Sequence, residues 1–111
     1  MERVTIANAV RNLEALLHLL DSAYWESSQI IHKDSIYDMV STLHIEINEL
    51  AKLSVEDHYM AYEPITADFR NCQSKLKMLH TNLGQWVVRS KTAKLLDEEL
   101  PLVIALLNPN Q

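Results

Sequence analysis

The stretch IANAVRNLEALLHLLDSAY, residues 6–24, decides the fold class. Its apolar residues Ile6, Val10, Leu13, Leu17, Leu20 and Tyr24 follow one another at alternating four- and three-residue steps. A strand alternates every second residue, whereas this stagger keeps one stripe on one side of a helix. The same arithmetic recurs downstream at Ile36, Val40, Leu43, Ile47 and Leu50. It recurs again at Ile65, Phe69, Cys72, Leu76, Leu79, Leu83 and Trp86. Three long amphipathic helices sharing one average period pack with shallow crossings. The expected fold is therefore all-α: an antiparallel three- to four-helix bundle with a short apolar C-terminal helix.

Between the stripes lie the breaks. After Trp25 the period is lost through Glu26-Ser27-Ser28-Gln29, and Asp34 or Ser35 offers a side-chain oxygen to cap the second helix, which should end near Leu53. Ser54-Val55-Glu56-Asp57 predicts a capped helical turn, with Asp57 reaching back to free amides. A bend should precede Pro64, which is tolerated as the first residue of a third helix. Gly84 then marks either a cap or a weak continuation toward Ser90.

Composition agrees with this reading. The 111 residues fit one domain, with 48% hydrophobic and 23% charged residues, so a folded chain is expected. One Gly and three Pro leave little material for tight turns, hence few and long elements. The lone cysteine, Cys72, admits no intrachain disulfide and points to a reducing, cytoplasmic setting. The start reads Met1-Glu2-Arg3-Val4-Thr5 without the apolar stretch of a signal peptide. The longest apolar run, Leu102 to Leu107, is far below the roughly 20 residues that span a bilayer, so no membrane role is expected.

The tail differs from the rest. Leu95, Leu96, Leu100, Leu102, Val103, Ile104, Leu106 and Leu107 make it apolar on almost every face, and such a helix must be covered on all sides. Either the bundle's groove takes it or a second copy does. The second option makes Leu100, Leu102, Val103, Ile104, Leu106 and Leu107 the interface of an expected homodimer.

Charge is unevenly spread. Residues 1 to 68 carry twelve acids against four bases, while residues 69 to 96 carry Arg70, Lys75, Lys77, Arg89, Lys91 and Lys94 with no acid. Those six could bind anions, including nucleic-acid phosphates. The net charge of −5 and the lack of aromatic residues interleaved with the bases argue against a nucleic-acid partner. Neutralisation of the basic third helix by the acidic second helix is the favoured account.

Chemistry-bearing motifs are sparse. His18, His32, His44, His58 and His80 are too far apart for two to share a helical face, so each is expected at the surface or its boundary. Cys72 falls on an inward position, where a thiol packs as a small apolar group. One Gly excludes Gly-rich phosphate loops and the G-x-S-x-G elbow. Two constellations remain. Glu46-Ile47-Asn48-Glu49-Leu50 places two carboxylates at i and i+3, and Asp68 could complete an oxygen cage for Mg²⁺. Together with Trp25, these residues resemble the all-α nucleotide pyrophosphohydrolases of the MazG and dCTPase type, from about Trp25 to Leu83. The resemblance implies metal-dependent hydrolysis of a nucleotide. The first acid of that family's second motif falls at Ile65 here. Arg11 and His18, with Asn12 beside the arginine, have the R-x6-H spacing that resembles the small helical HEPN ribonucleases, while Glu14 between them suggests a surface ion-pair row.

These residues favour a non-enzymatic interaction or regulatory protein that self-associates and binds a protein partner. No cofactor and no catalytic residue is assigned.

Overall fold

The computed structural model describes residues 4–107 of the chain. It is all-α, with helices α1 (Ile6–Glu26), α2 (Ile30–Ala51), α3 (Ala67–Arg70), α4 (Gln73–Thr81), α5 (Leu83–Trp86) and α6 (Ser90–Leu106), and a 3-10 turn at Glu56–Tyr59. α1 packs on both α2 and α6, and α4 closes the ring by packing on α6 and α2. The result is a four-sided bundle of 42 × 27 × 22 Å. Among the described residues, no helix is long and apolar enough to cross a membrane.

The stripes face inward with one shift of register. Helix α1 begins where Thr5 accepts the Asn8 N–H at 3.2 Å, and it buries Ile6, Ala9, Leu13, Leu16, Leu20 and Ala23. Val10, Leu17 and Tyr24 are only half-buried. Small Ala9 and Ala23 let the neighbouring helices approach, so the centre of the seam runs through them. Helix α2 repeats the pattern, burying Ile36, Met39, Leu43, Glu46 and Leu50 and leaving Val40 and Ile47 half-buried.

Three expectations are corrected. Helix α2 starts at Ile30, ahead of Asp34 and Ser35, because the turn from α1 is only Ser27-Ser28-Gln29. That turn is tied by the Ser27 N–H to the Ala23 and Tyr24 carbonyls, and by Lys33 Nζ donating to Tyr24 O at 2.7 Å. The third helix is broken into α3, α4 and α5. The breaks fall at Asn71-Cys72 and at Asn82, where ψ relaxes toward zero and the N–H groups of Cys72 and Asn82 reach three residues back. At Asn82 the side-chain Nδ2 also donates to the Met78 carbonyl at 2.8 Å, competing with the helix ladder. Phe69, Cys72, Leu76, Leu79 and Leu83 remain inside despite the breaks. The tail helix is also long, with 17 residues, and it carries Pro101 inside it.

The 3-10 turn occurs where a capped turn is expected, with the roles exchanged: Ser54 Oγ accepts the Asp57 N–H at 3.3 Å. Gly84 lies within α5 at ordinary negative φ, and a Cβ there meets nothing within 4 Å. Gly84→Ala therefore removes only unfolded-chain freedom and should raise stability by roughly 0.5–1 kcal/mol. A higher urea midpoint at unchanged slope is the expected reading; a lower midpoint would show that α5 needs the glycine.

Candidate interaction surface

Glu46 sits in the inward stripe of α2 and is fully buried. Its Oε2 accepts the Tyr62 hydroxyl at 2.6 Å and the Ile65 N–H at 2.8 Å. Its Oε1 accepts the Thr66 N–H at 2.9 Å and the Thr66 hydroxyl at 2.8 Å. A buried carboxylate is tolerable when such donors replace its water. The donors are themselves placed. The Ile6 N–H donates to Met60 O and the Tyr62 N–H to Val4 O, which pins the 60–62 segment to the start of α1 and turns Tyr62 inward. Thr66 also accepts the Phe69 N–H at 3.2 Å and so caps α3. Burial, followed by the bond to Glu46, raises the Tyr62 phenol far above its ordinary range.

The other two carboxylates of the possible metal cage lie elsewhere. Glu49 is paired with Lys52 near the end of α2, and Asp68 is exposed in the first turn of α3. Among the described residues, no group of three or more His, Cys, Asp or Glu side chains is placed to hold a metal ion. Glu46 thus serves as a structural anchor between α2 and α3. The partners Tyr62 and Thr66 were not foreseen from sequence; the available signal was the acid at position 46 in the 36-39-43-46-50 stripe.

The six bases are dispersed. Arg70 donates to the carbonyls of Pro64 and Ile65 at 3.1 and 3.0 Å, and Lys75 stands 3.7 Å from Asp38 across the α2/α4 contact. Lys77 lies on α4, whereas Arg89, Lys91 and Lys94 are exposed around the start of α6. The tail residues divide likewise. Leu100, Val103 and Leu106 are buried in the chain's own core, Ile104 and Leu107 are half-buried, and Leu102 is 50% exposed.

The remaining singled-out side chains are placed as follows. His18 and His44 are exposed; His58 contacts Leu50 O at 3.3 Å, and His80 contacts Asp97 at 2.8 Å. His32 stacks on Trp86 with centroids 4.7 Å apart. Cys72 is buried, and that burial pushes its thiol up to about 11.

Among the described residues, the outer side of the α1–α2 pair is left open. Val10, Leu17 and Tyr24 recur every seven residues on α1, and Val40 and Ile47 do so on α2. They form a second apolar stripe, half-buried at the margin of the core against which they pack. A groove of about 560 Å³ opens there, lined by Glu14, Leu17, His18, Asp21, Val40, His44 and Ile47. At one end Tyr24 meets Tyr37 at 6.4 Å and Trp25 at 5.2 Å, with Lys33 Nζ over the Tyr24 ring at 4.4 Å. Trp25 is 73% and Tyr37 61% exposed. On α1 the stripe from Val10 to Tyr24 is about 21 Å long at 1.5 Å per residue, and the groove opens beside its middle at Leu17.

Comparison with known proteins identifies no relative: no family model, no curated protein and no solved structure matches this chain.

Proposed function

We propose that this chain is a non-enzymatic interaction protein whose α1–α2 outer face receives an amphipathic helix from a protein partner. The observation that carries this reading is the second apolar stripe, spaced by seven residues and open between two antiparallel helices. A seven-residue repeat presented by two adjacent helices offers the holes into which a third helix sets its own side chains. The exposed Trp25 and Tyr37 extend the stripe with the residue types that dominate interface energetics. The fully bonded Glu46 supports a structural rather than a catalytic role for the one buried acid of α2. The single, buried Cys72 is in keeping with a cytoplasmic setting.

A neutral helical peptide with leucines at heptad spacing and glutamine elsewhere tests the reading. In a Trp86→Phe background, so that Trp25 reports alone, titration should shift the emission to the blue. Leu17→Asn with Ile47→Asn should abolish the shift while the helical circular dichroism signal persists. If that variant loses its helicity, the titration of the parent protein decides. No emission change at millimolar peptide rejects the reading.

A further inference from the structure

We infer that the partner helix received by this groove is basic along one flank, with Lys or Arg repeated every seven residues where it meets α1, a step that rests on the reading above. The two walls of the groove differ in charge. On α1 the exposed acids Glu14 and Asp21 line it, seven residues apart, whereas α2 contributes His44 beside Val40 and Ile47, and among the described residues no Lys or Arg belongs to the lining. At about 3.6 residues per turn, Asp21 and Glu14 stand roughly 40° and 60° round α1 from Leu17, while Arg11, the one Lys or Arg of that helix, stands roughly 120° round. The acids border the groove and the base does not. Neither carboxylate is neutralised inside the chain. Among the described residues Glu49 pairs with Lys52, Asp38 with Lys75 and Asp97 with His80, but no base pairs with Glu14 or Asp21, so the ion-pair row that Arg11, Glu14 and His18 suggest in the sequence is not made. Lys33, at the Tyr24 end, is already engaged: its Nζ donates to Tyr24 O and lies over the Tyr24 ring.

A half-buried apolar floor beside two unpaired carboxylates defines the occupant. An apolar residue at every seventh position of the partner suits the floor made by Leu17, Val40 and Ile47. A basic residue four positions after each of these lies about 40° round the partner helix, on the flank that faces α1 in one of the two directions in which the helix can run. Seven against seven keeps both contacts in register. An acidic flank would be repelled there, and a neutral one would leave both carboxylates without a counter-charge. The net charge of −5 acts in the same sense, drawing a basic partner toward the chain. A second copy does not offer this row on the outer side of α6, where exposed Lys91 and Lys94 are followed by exposed Asp97 and Glu98.

Three helical peptides test the pairing, each with leucine at every seventh position and glutamine as filler. The first is otherwise neutral, the second has lysine four residues after each leucine, and the third has lysine two residues after each leucine, on the opposite face. Titrated into the Trp86→Phe protein with Trp25 as reporter, the flank-lysine peptide should bind about fivefold or more tightly than the neutral one at low salt, as two exposed ion pairs allow. Raising the salt from about 0.05 to 0.5 M should remove most of that advantage. Glu14→Gln with Asp21→Gln should make the flank-lysine and neutral peptides bind alike; both positions are exposed, and unchanged circular dichroism confirms folding. The opposite-face peptide carries the same charge and should gain clearly less than the flank-lysine peptide, a comparison that needs no variant of the acids. Equal affinity of the flank-lysine and neutral peptides, or an equal gain from lysines on the opposite face, would overturn the inference and leave the groove reading standing. If the neutral peptide does not dock, that reading is rejected and the inference falls with it. Self-association of the free chain that the peptides dissolve would put a second copy in the groove and refute the basic partner helix.

Discussion

Glu46→Ala should destabilise this protein by roughly 3–5 kcal/mol, the range seen when one side of a buried charged arrangement is removed. The alanine leaves four donors with no acceptor: the Tyr62 hydroxyl, the Ile65 and Thr66 N–H groups, and the Thr66 hydroxyl. A buried donor without a partner costs about 1–3 kcal/mol, and water entering the vacated space offsets part of the sum. Glu46→Gln is the finer probe. It keeps one acceptor oxygen but sets an NH₂ group against two donors, so it should still cost more than about 1 kcal/mol. Tyr62→Phe removes a single donor from the same carboxylate and should cost less than either. Urea unfolding followed at 222 nm measures all three. A loss below about 1 kcal/mol for Glu46→Ala would mean that water already reaches the carboxylate, contrary to its complete burial.

The Glu46 anchor also shows where periodicity stops being informative. The helical stagger of α1 and α2 was legible because a stripe is a local property: each residue's face follows from its number alone. The choice between two neighbouring stripes was not. Val10, Leu17 and Tyr24 look more apolar than Ala9, Leu16 and Ala23, yet the smaller set lies at the centre because alanine permits close helix approach. Glu46 reads as a solvated acid by residue type, although it falls in the 36-39-43-46-50 stripe, since burying a charge is costly unless donors surround it. Its donors lie 16 to 20 residues away in an irregular segment whose course has no period to read. The breaks at Asn71 and Asn82 escaped for a related reason: an apolar stagger remains in phase across a short interruption. The outer groove was visible in part, since Leu17, Val40 and Ile47 belong to the stripes read from sequence, but only packing shows that they stay half-buried at the margin of the core. Charges separate the same way. Lys75 meets Asp38 across the α2/α4 contact, as the account of mutual neutralisation anticipates, while Lys91 and Lys94 lie on a different helix from Lys75 and Lys77.

Phe69→Ala should cost about 3–5 kcal/mol, the usual range for a fully buried phenylalanine. Phe69 is completely buried, and it lies in α3, a helix of only four residues. So short a helix has no stability of its own, because one turn fixes several dihedral angles for a single hydrogen bond. Two attachments from outside hold it: the Phe69 ring in the core, and Glu46 gripping the two backbone amides that precede it. These attachments are in series. Once either is lost, α3 can leave the bundle and the other has less to hold, so the double variant Glu46→Ala with Phe69→Ala should cost at least about 1 kcal/mol less than the two single losses added together. The same detachment should lower the urea slope of each single variant, since less surface remains to be exposed on unfolding. Strict additivity would show that α3 stays docked without its phenylalanine, and that the anchor at Glu46 alone places the segment between Tyr62 and Arg70.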